Sequence, residues 1–183
     1  SGGVGLTAVE LGKLMGARVI AAASSNEKLE FVKQLNPDFL VNYNECDLKE
    51  TVKDLTDGKG ADVIYDPVGG DLFDQCCRCI NWNGRLLVIG FTSGRIPSYK
   101  ANLALLKGSS MIGVFLGRFR KEEPATYEQN FRELLDMYRE EKLNPIVTKS
   151  FPLEEYADAF NIFTKRKVMG KVTLEIKQEQ NVK

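Results

Sequence analysis

The chain has 183 residues, of which 43% are hydrophobic and 27% are charged, a globular composition with enough apolar material for one core of ordinary size. Its 25 basic side chains balance its 25 acidic ones, so no net charge attracts a nucleic acid or an anionic membrane surface. The apolar stretches have the length of strands and fall far short of the about 20 residues that a membrane-spanning helix needs. We therefore expect a soluble protein with no nucleic-acid or membrane partner.

The cysteine and histidine content excludes several kinds of site. Three of the four cysteines, Cys76, Cys77 and Cys79, fall within one predicted helix, too close together for a disulfide framework. This usage predicts a reducing compartment, the cytoplasm, with a mitochondrial location as the alternative. Adjacent cysteines on a helix point about 100° apart and no histidine is present, so no metal site is predicted. Without histidine, Ser-His-Asp and Cys-His mechanisms are excluded as well.

In chain order, the first predicted unit is a helix that follows three glycines and ends at Gly16. Residues 17–23 form a continuous apolar run that predicts a buried strand. A second helix follows, with Ser24 and Glu27 at capping-box spacing, and Pro37 ends it.

The same alternation continues. A short strand is predicted over residues 39–41, and Asp47 is the predicted cap of the next helix. A strand over 61–66 leads to a helix over 72–80, and a further strand covers 85–90.

The last strand of this series is predicted over residues 110–116, after a polar loop and a short helix. A long amphipathic helix then ends near Lys142. Because each strand is a continuous apolar run between helices, the chain predicts an α/β fold with a doubly wound parallel sheet. We assign residues 1–144 to this domain, 145–177 to an appended helix and strand, and 178–183 to a polar tail.

The opening glycines form a motif. The stretch from Gly3 to Ala8 fits G-x-G-x-x-A, the fingerprint of dinucleotide-binding turns between a strand and a helix. Glycine allows backbone N–H groups to approach a diphosphate, whose charge the helix N-terminus favours. Similar turns also bind S-adenosylmethionine or serve only packing, so the motif alone leaves these alternatives open.

The residues that follow the predicted strand over 17–23 indicate which dinucleotide the chain binds. An NAD-binding protein places Asp or Glu there, against the ribose hydroxyls, whereas this chain has Ser24, Ser25 and Lys28. Hydroxyls and an ammonium group would accept a 2′-phosphate, which a carboxylate would repel. The predicted cofactor is therefore NADPH, although Ser24 could also serve only as a helix cap.

Six segments together resemble a known family: SGGVG, SSNEK, NYNECD, YDPVGG, GRLLVIGFTSG and GVFLG. In order and spacing they are similar to the zeta-crystallin-type quinone oxidoreductases of the medium-chain dehydrogenase/reductase superfamily, over residues 1 to about 176. The resemblance implies a Rossmann fold. It also implies that a first strand and an N-terminal GroES-like domain precede the glycine turn, so we expect a fragment of a longer protein, inactive by itself.

The resemblance assigns roles to particular residues. Gly2, Gly3 and Val4 of the glycine turn would contact the diphosphate, and Ser25, Lys28 and Tyr43 would bind the 2′-phosphate. The residues that would flank the nicotinamide half are Val68, Gly69, Phe91, Ser93, Phe115 and Leu116. For Phe115 and Leu116, packing alone is the alternative.

The implied first strand would lie between residues 17–23 and 61–66, leaving a gap that residues 170–176 or a second molecule could fill. Relatives pair their sheets edge to edge, which implies a homodimer through residues 109–116.

The predicted function is zinc-independent, NADPH-dependent transfer of hydride to a quinone or an α,β-unsaturated carbonyl. An enone reductase of the prostaglandin reductase kind, a noncatalytic NADPH-binding redox sensor and an S-adenosylmethionine methyltransferase are the alternatives. The catalytic residues stay unassigned, because the family gives Tyr65 and Asp66, at a strand end, no part in proton transfer.

Overall fold

The computed structural model describes residues 1–165 and 167–176. Helices alternate with short parallel strands through the first part of the chain: α1 (Gly3–Leu14), β1 (Ile20–Ala23), α2 (Asn26–Lys33), β2 (Phe39–Asn42), α3 (Leu48–Asp54), β3 (Ala61–Asp66), α4 (Gly70–Cys79), β4 (Ile80–Val88), α5 (Ala101–Lys107) and β5 (Ser110–Gly113). Three helices, a 3-10 turn and a small parallel pair of strands follow: α6 (Leu116–Glu122), α7 (Pro124–Arg139), β6 (Val147–Pro152), the 3-10 turn (Leu153–Glu155), α8 (Tyr156–Thr164) and β7 (Lys171–Glu175).

The strands form separate parallel sheets. β1 pairs with β2, and β3, β4 and β5 form a second sheet in which Asp66, Val88 and Gly113 are neighbours in register. The predicted α/β class with parallel strands is confirmed. Within the described residues β1 and β3 share no ladder, in agreement with the predicted gap between them.

The C-terminal strand does not fill that gap. β7 pairs with β6, so the prediction that residues 170–176 fill it is wrong. The C-terminal segment instead reaches the glycine turn through one isolated parallel bridge, between Gly2 and Gly170. The tail predicted at 178–183 lies outside the described residues, and the division at residue 144 stays a prediction.

Two apolar clusters cover the opposite faces of β1 and β2, because successive side chains of a strand point to opposite sides. One lies under α1 and α2 and contains Leu6, Ala21 and Val32. The larger cluster joins β2 and α3 to α4 and β4, and so connects the two sheets; its buried members are Val41, Leu48, Val52, Phe73, Cys76, Cys77, Cys79, Ile80 and Leu86. This two-sided cover is the doubly wound arrangement that the sequence predicts.

Two strands are shorter than predicted: β1 begins at Ile20 rather than at residue 17, and β5 ends before residue 116. β5 ends at Gly113, so residues 114–116 are not strand, and Phe115 precedes α6, a helix that the sequence analysis does not predict. The ring of Phe119 on α6 contacts Tyr127 on α7 edge to face, with 6.5 Å between ring centroids. Through this pair of rings α6 packs against α7. In the described ranges, no helix has the length and apolar character to cross a membrane.

Candidate functional site

The glycine turn forms the start of α1. Gly2 is the residue before the helix, and no side chain caps the first turn. The carbonyl of Gly2 accepts a 3.0 Å hydrogen bond from the N–H of Leu6. Val4 is 54% exposed. The amides of the first turn therefore face an open surface, which is the geometry that attracts an anion to a helix N-terminus.

The C-terminal segment lies against this turn. A Cβ atom at Gly3 would lie 3.0 Å from Cγ and 3.5 Å from Nζ of Lys171, and the N–H of Gly170 donates a 2.9 Å hydrogen bond to the carbonyl of Ser1. Lys171 brings an ammonium group to the turn that the sequence analysis does not identify. A lysine at the start of a strand is usually solvated, so no sequence signal distinguishes it.

A polar cluster forms where β1 ends. The ammonium group of Lys28 donates a 3.1 Å hydrogen bond to Oγ of Ser24, and Oγ of Ser25 accepts a 3.3 Å bond from the N–H of Lys28. Ser25 is thus the cap of α2, and the predicted capping role of Ser24 is wrong. The hydroxyl of Ser24 is instead turned toward the lysine.

Tyr43 extends this cluster from the neighbouring strand end. Its N–H donates a 3.1 Å hydrogen bond to the carbonyl of Ala23, and its ring is half-buried against the larger core cluster. The predicted 2′-phosphate residues therefore lie together at the carboxyl ends of β1 and β2. The glycine turn begins α1, which packs on β1 through Leu6.

The remaining predicted site residues cluster at the carboxyl end of the second sheet. Oδ1 of the buried Asp66 accepts hydrogen bonds from the N–H groups of Val68 (2.8 Å) and Gly69 (3.0 Å). The carbonyl of Val68 in turn accepts a 3.0 Å bond from the N–H of Ser93. The turn after β3 and the loop after β4 are thus hydrogen-bonded to each other.

Glycine is required where these two segments meet. Gly69 and Gly70 have φ of +69° and +62°. A Cβ atom at Gly69 would lie 3.1 Å from Cδ1 of Phe91, and one at Gly70 would lie 2.7 Å from Oγ of Ser93. Arg95 fixes the same loop from outside through ion pairs with two carboxylates of α4 that the sequence analysis did not identify, Asp71 (2.9 Å) and Asp74 (2.7 Å).

Phe115 and Leu116 follow β5 at the same end of the sheet. The N–H of Val114 donates a 3.0 Å hydrogen bond to the carbonyl of Val88, which aligns this segment with the end of β4. Phe115 is 74% and Leu116 is 64% exposed. Packing within the described residues therefore does not explain these two apolar side chains.

The titratable groups nearby suggest no nucleophile. Burial raises the pKa of the Cys77 and Cys79 thiols to about 11 and that of Cys76 well above 9.0, so all three stay protonated core residues at neutral pH. Burial also raises the pKa of Tyr65. Over residues 1–165 and 167–176, no group of three or more His, Cys, Asp or Glu side chains is arranged to hold a metal ion.

Both groups of residues lie at the carboxyl ends of parallel strands, the edge at which open α/β sheets bind ligands. Comparison with known proteins identifies the family. The family model described as zinc-binding dehydrogenase matches residues 3–138, and the chain belongs to this family.

Two relatives and one solved structure illustrate what the chain is similar to. The chain is 39% identical over 180 residues to the quinone oxidoreductase-like protein 2 homolog of Nematostella vectensis, covering 97% of this chain and 49% of the relative. It is 35% identical over 147 residues to prostaglandin reductase-3 of Mus musculus, covering 75% and 38%. Among solved structures, a mycobacterial protein complexed with NADPH superposes with a TM-score of 0.87 at 27% identity, covering 96% and 55%.

The predicted resemblance to medium-chain quinone oxidoreductases is thereby confirmed. The chain spans about half the length of the curated quinone oxidoreductase-like relatives it matches.

Proposed function

We propose that this chain binds NADPH and is the cofactor-binding part of a zinc-independent oxidoreductase that transfers hydride to a quinone or an α,β-unsaturated carbonyl. The observation that carries the proposal is the hydrogen-bonded polar cluster after β1. There, the ammonium group of Lys28 lies 3.1 Å from the hydroxyl of Ser24, where an NAD-binding protein places a carboxylate. Ammonium, hydroxyl and the amides that begin α2 suit a 2′-phosphate dianion.

The glycine turn fits the cofactor's diphosphate. Gly2 and Gly3 leave the start of α1 free of side chains, and no side chain caps its first-turn amides. Val4 is exposed beside them, and Lys171 adds a positive charge from the C-terminal segment. Amides and an ammonium group together would neutralise part of the diphosphate charge. The NADPH found in the mycobacterial relative supports this assignment.

The turn after β3 and the loops after β4 and β5 would flank the nicotinamide half. Bound NADPH supplies the hydride. The chain's own contribution is to orient the ring and exclude water, through Val68 and Gly69, through Phe91 and Ser93 of the hydrogen-bonded loop, and through the exposed Phe115 and Leu116. No side chain of this chain is proposed as the proton donor, because no titratable group with an exposed face stands out among these residues.

The acceptor is tested with the full-length protein. Oxidation of NADPH, followed by absorbance, should require one of a panel of quinones and α,β-unsaturated carbonyls and should be much slower with NADH. Turnover of enones alone would favour the enone-reductase alternative, which the similarity to prostaglandin reductase-3 supports. Tight NADPH binding with no turnover across the panel would contradict the enzyme proposal and favour the redox sensor.

We propose in addition that two copies pair through β5. This strand is hydrogen-bonded to β4 on one side. Met111 (48% exposed) and Ile112 (39%) on the strand, and Val114 (45%) directly after it, leave apolar surface there. An apolar edge strand is stable in solution when it is covered, and pairing with a second copy across a twofold axis would extend the sheet.

A further inference from the structure

Three asparagines form a hydrogen-bonded network between the ends of β1 and β2. At its centre is Asn42, the last residue of β2, which is 9% exposed. Its Oδ1 accepts a 3.1 Å hydrogen bond from the N–H of Asn44, and its Nδ2 donates a 3.0 Å bond to Oδ1 of Asn26. The oxygen and the NH₂ group of the Asn42 side chain therefore both have a hydrogen-bond partner.

Three further bonds complete the network. Nδ2 of Asn26 donates to both carboxylate oxygens of Glu45, each at 3.1 Å, and Nδ2 of Asn44 donates a 2.8 Å bond to the carbonyl of Ser24. Side-chain bonds thus cross repeatedly between the segment that begins α2 and the segment that follows β2.

The orientation of each amide follows from its neighbour. The backbone N–H of Asn44 requires an oxygen from Asn42, which turns the NH₂ group of Asn42 toward Asn26. Asn26 must then present its oxygen to Asn42 and its own NH₂ group to the carboxylate of Glu45. This orientation of the three amides makes all of these bonds at once, so several side-chain hydrogen bonds join the two segments.

These two segments carry the groups assigned to the 2′-phosphate: Ser24, Ser25 and Lys28 on one, and Tyr43 on the other. We propose that Asn42 is a positioning residue that fixes the spacing between them and thereby sets the preference for NADPH over NADH. Asn42 acts through its neighbours and does not contact the cofactor. This inference rests on the proposed NADPH-binding function.

The test uses Asn42→Leu, which has nearly the same size, adds no charge and removes both side-chain hydrogen bonds. Affinities of the full-length protein for NADPH and NADH are measured by fluorescence titration. Loss of the network should weaken NADPH binding about three- to tenfold, the equivalent of about one net hydrogen bond, and change NADH binding little. The NADPH-to-NADH affinity ratio is the decisive quantity, because general structural damage would lower both affinities together.

A second variant guards against a failure to fold. Asn26→Ala alters an exposed side chain of the same network and should lower the same ratio, and the double variant should lower it no further than Asn42→Leu alone. Asn102→Leu, at an exposed asparagine on α5, is the matched control.

An unchanged ratio in both network variants, or an equal loss of both affinities, would overturn the positioning role. A wild-type protein that does not prefer NADPH would instead contradict the proposed function itself.

Discussion

Lys28 and Ser24 are joined by a 3.1 Å hydrogen bond from the lysine ammonium group to the serine hydroxyl, across the junction between β1 and α2. The lysine is thus held close to the strand end rather than extended into solvent. The lysine is half-buried, and the glycine turn begins the helix that packs on the same strand, so two anion-attracting features belong to this part of the fold. The proposed binding of NADPH depends on this pair of side chains.

The glycine turn predicts a contrast between two alanine variants. Gly5→Ala adds a methyl group with no atom within 4 Å and should stabilise α1 by about 0.5–1 kcal/mol, the usual preference for alanine in a helix. Gly3→Ala should gain less or lose stability, because its Cβ would lie 3.0 Å from Cγ of Lys171. Thermal unfolding measures both. In a Lys171→Ala background the two variants should become alike, and a persistent difference would contradict the contact.

The turn after β3 predicts a second contrast. Gly16 and Gly70 both have positive φ, so alanine at either position costs about 1–2 kcal/mol of backbone strain. A Cβ atom at Gly16 meets no atom within 4 Å, whereas one at Gly70 would lie 2.7 Å from Oγ of Ser93. Gly70→Ala should therefore destabilise the protein more, by denaturant unfolding, and slow NADPH oxidation by displacing the loop. Equal effects of the two variants would show that the loop does not pack on this turn.

The buried cysteines predict a pH dependence. Burial raises the pKa of Cys77 and Cys79 from 9.0 to about 11, so these thiols ionise more readily in the unfolded chain. Their contribution to the free energy of unfolding is complete below pH 9.0 and is lost as the pH rises through about 11. Urea unfolding across this interval should give a falling stability. In Cys77→Ser/Cys79→Ser the fall should be smaller, and an equally steep fall would rule out these thiols as its cause.

The same burial predicts selective alkylation. Cys46 is exposed, while the other three thiols lie in the core. Iodoacetamide should therefore modify the native protein at Cys46 first, as mass spectrometry of its peptides will measure. Modification of Cys76 at a similar rate without unfolding would contradict the packing of α4.

The exposed edge of β5 predicts the effect of a charge. Ile112→Lys should convert a dimer into a monomer, because lysine on an edge strand opposes pairing with a second sheet. Met15→Lys changes an equally apolar residue, 82% exposed at the end of α1, and should leave the dimer intact. Light scattering at micromolar concentration measures both. A wild-type monomer, or a dimer in Ile112→Lys, would contradict pairing through this strand.

Local patterns predicted much of the fold. The run ADVIYD alone predicts the bounds of β3, and Asp47 is the cap of α3, as its spacing to Glu50 indicates. These features depend on interactions within a few residues. The choice of Ser25 over Ser24 as the cap of α2 was missed, because both serines have suitable chemistry and only the position of the helix distinguishes them.

Features that depend on distant segments were harder to predict. The contact of Lys171 with Gly3 and the asparagine network each join residues well separated in the sequence, and neither has a local pattern. The apolar run SMIGVFL suggested a strand through residue 116, but the strand ends at Gly113 and α6 begins at Leu116. For the candidate site, the resemblance to a family supplied most of the residues, and the structure supplied their mutual arrangement.

The central claim is tested most directly by titrating the full-length protein with NADPH and with NADH, in the wild type and in Lys28→Ala. Lys33→Ala is the matched control, because Lys33 lies on the same helix and pairs with Glu30 in solvent. The account predicts that Lys28→Ala weakens NADPH binding by about 1–3 kcal/mol, changes NADH binding little, and that the control matches the wild type. Tighter binding of NADH than of NADPH by the wild type, or an unchanged NADPH affinity in Lys28→Ala, would contradict it.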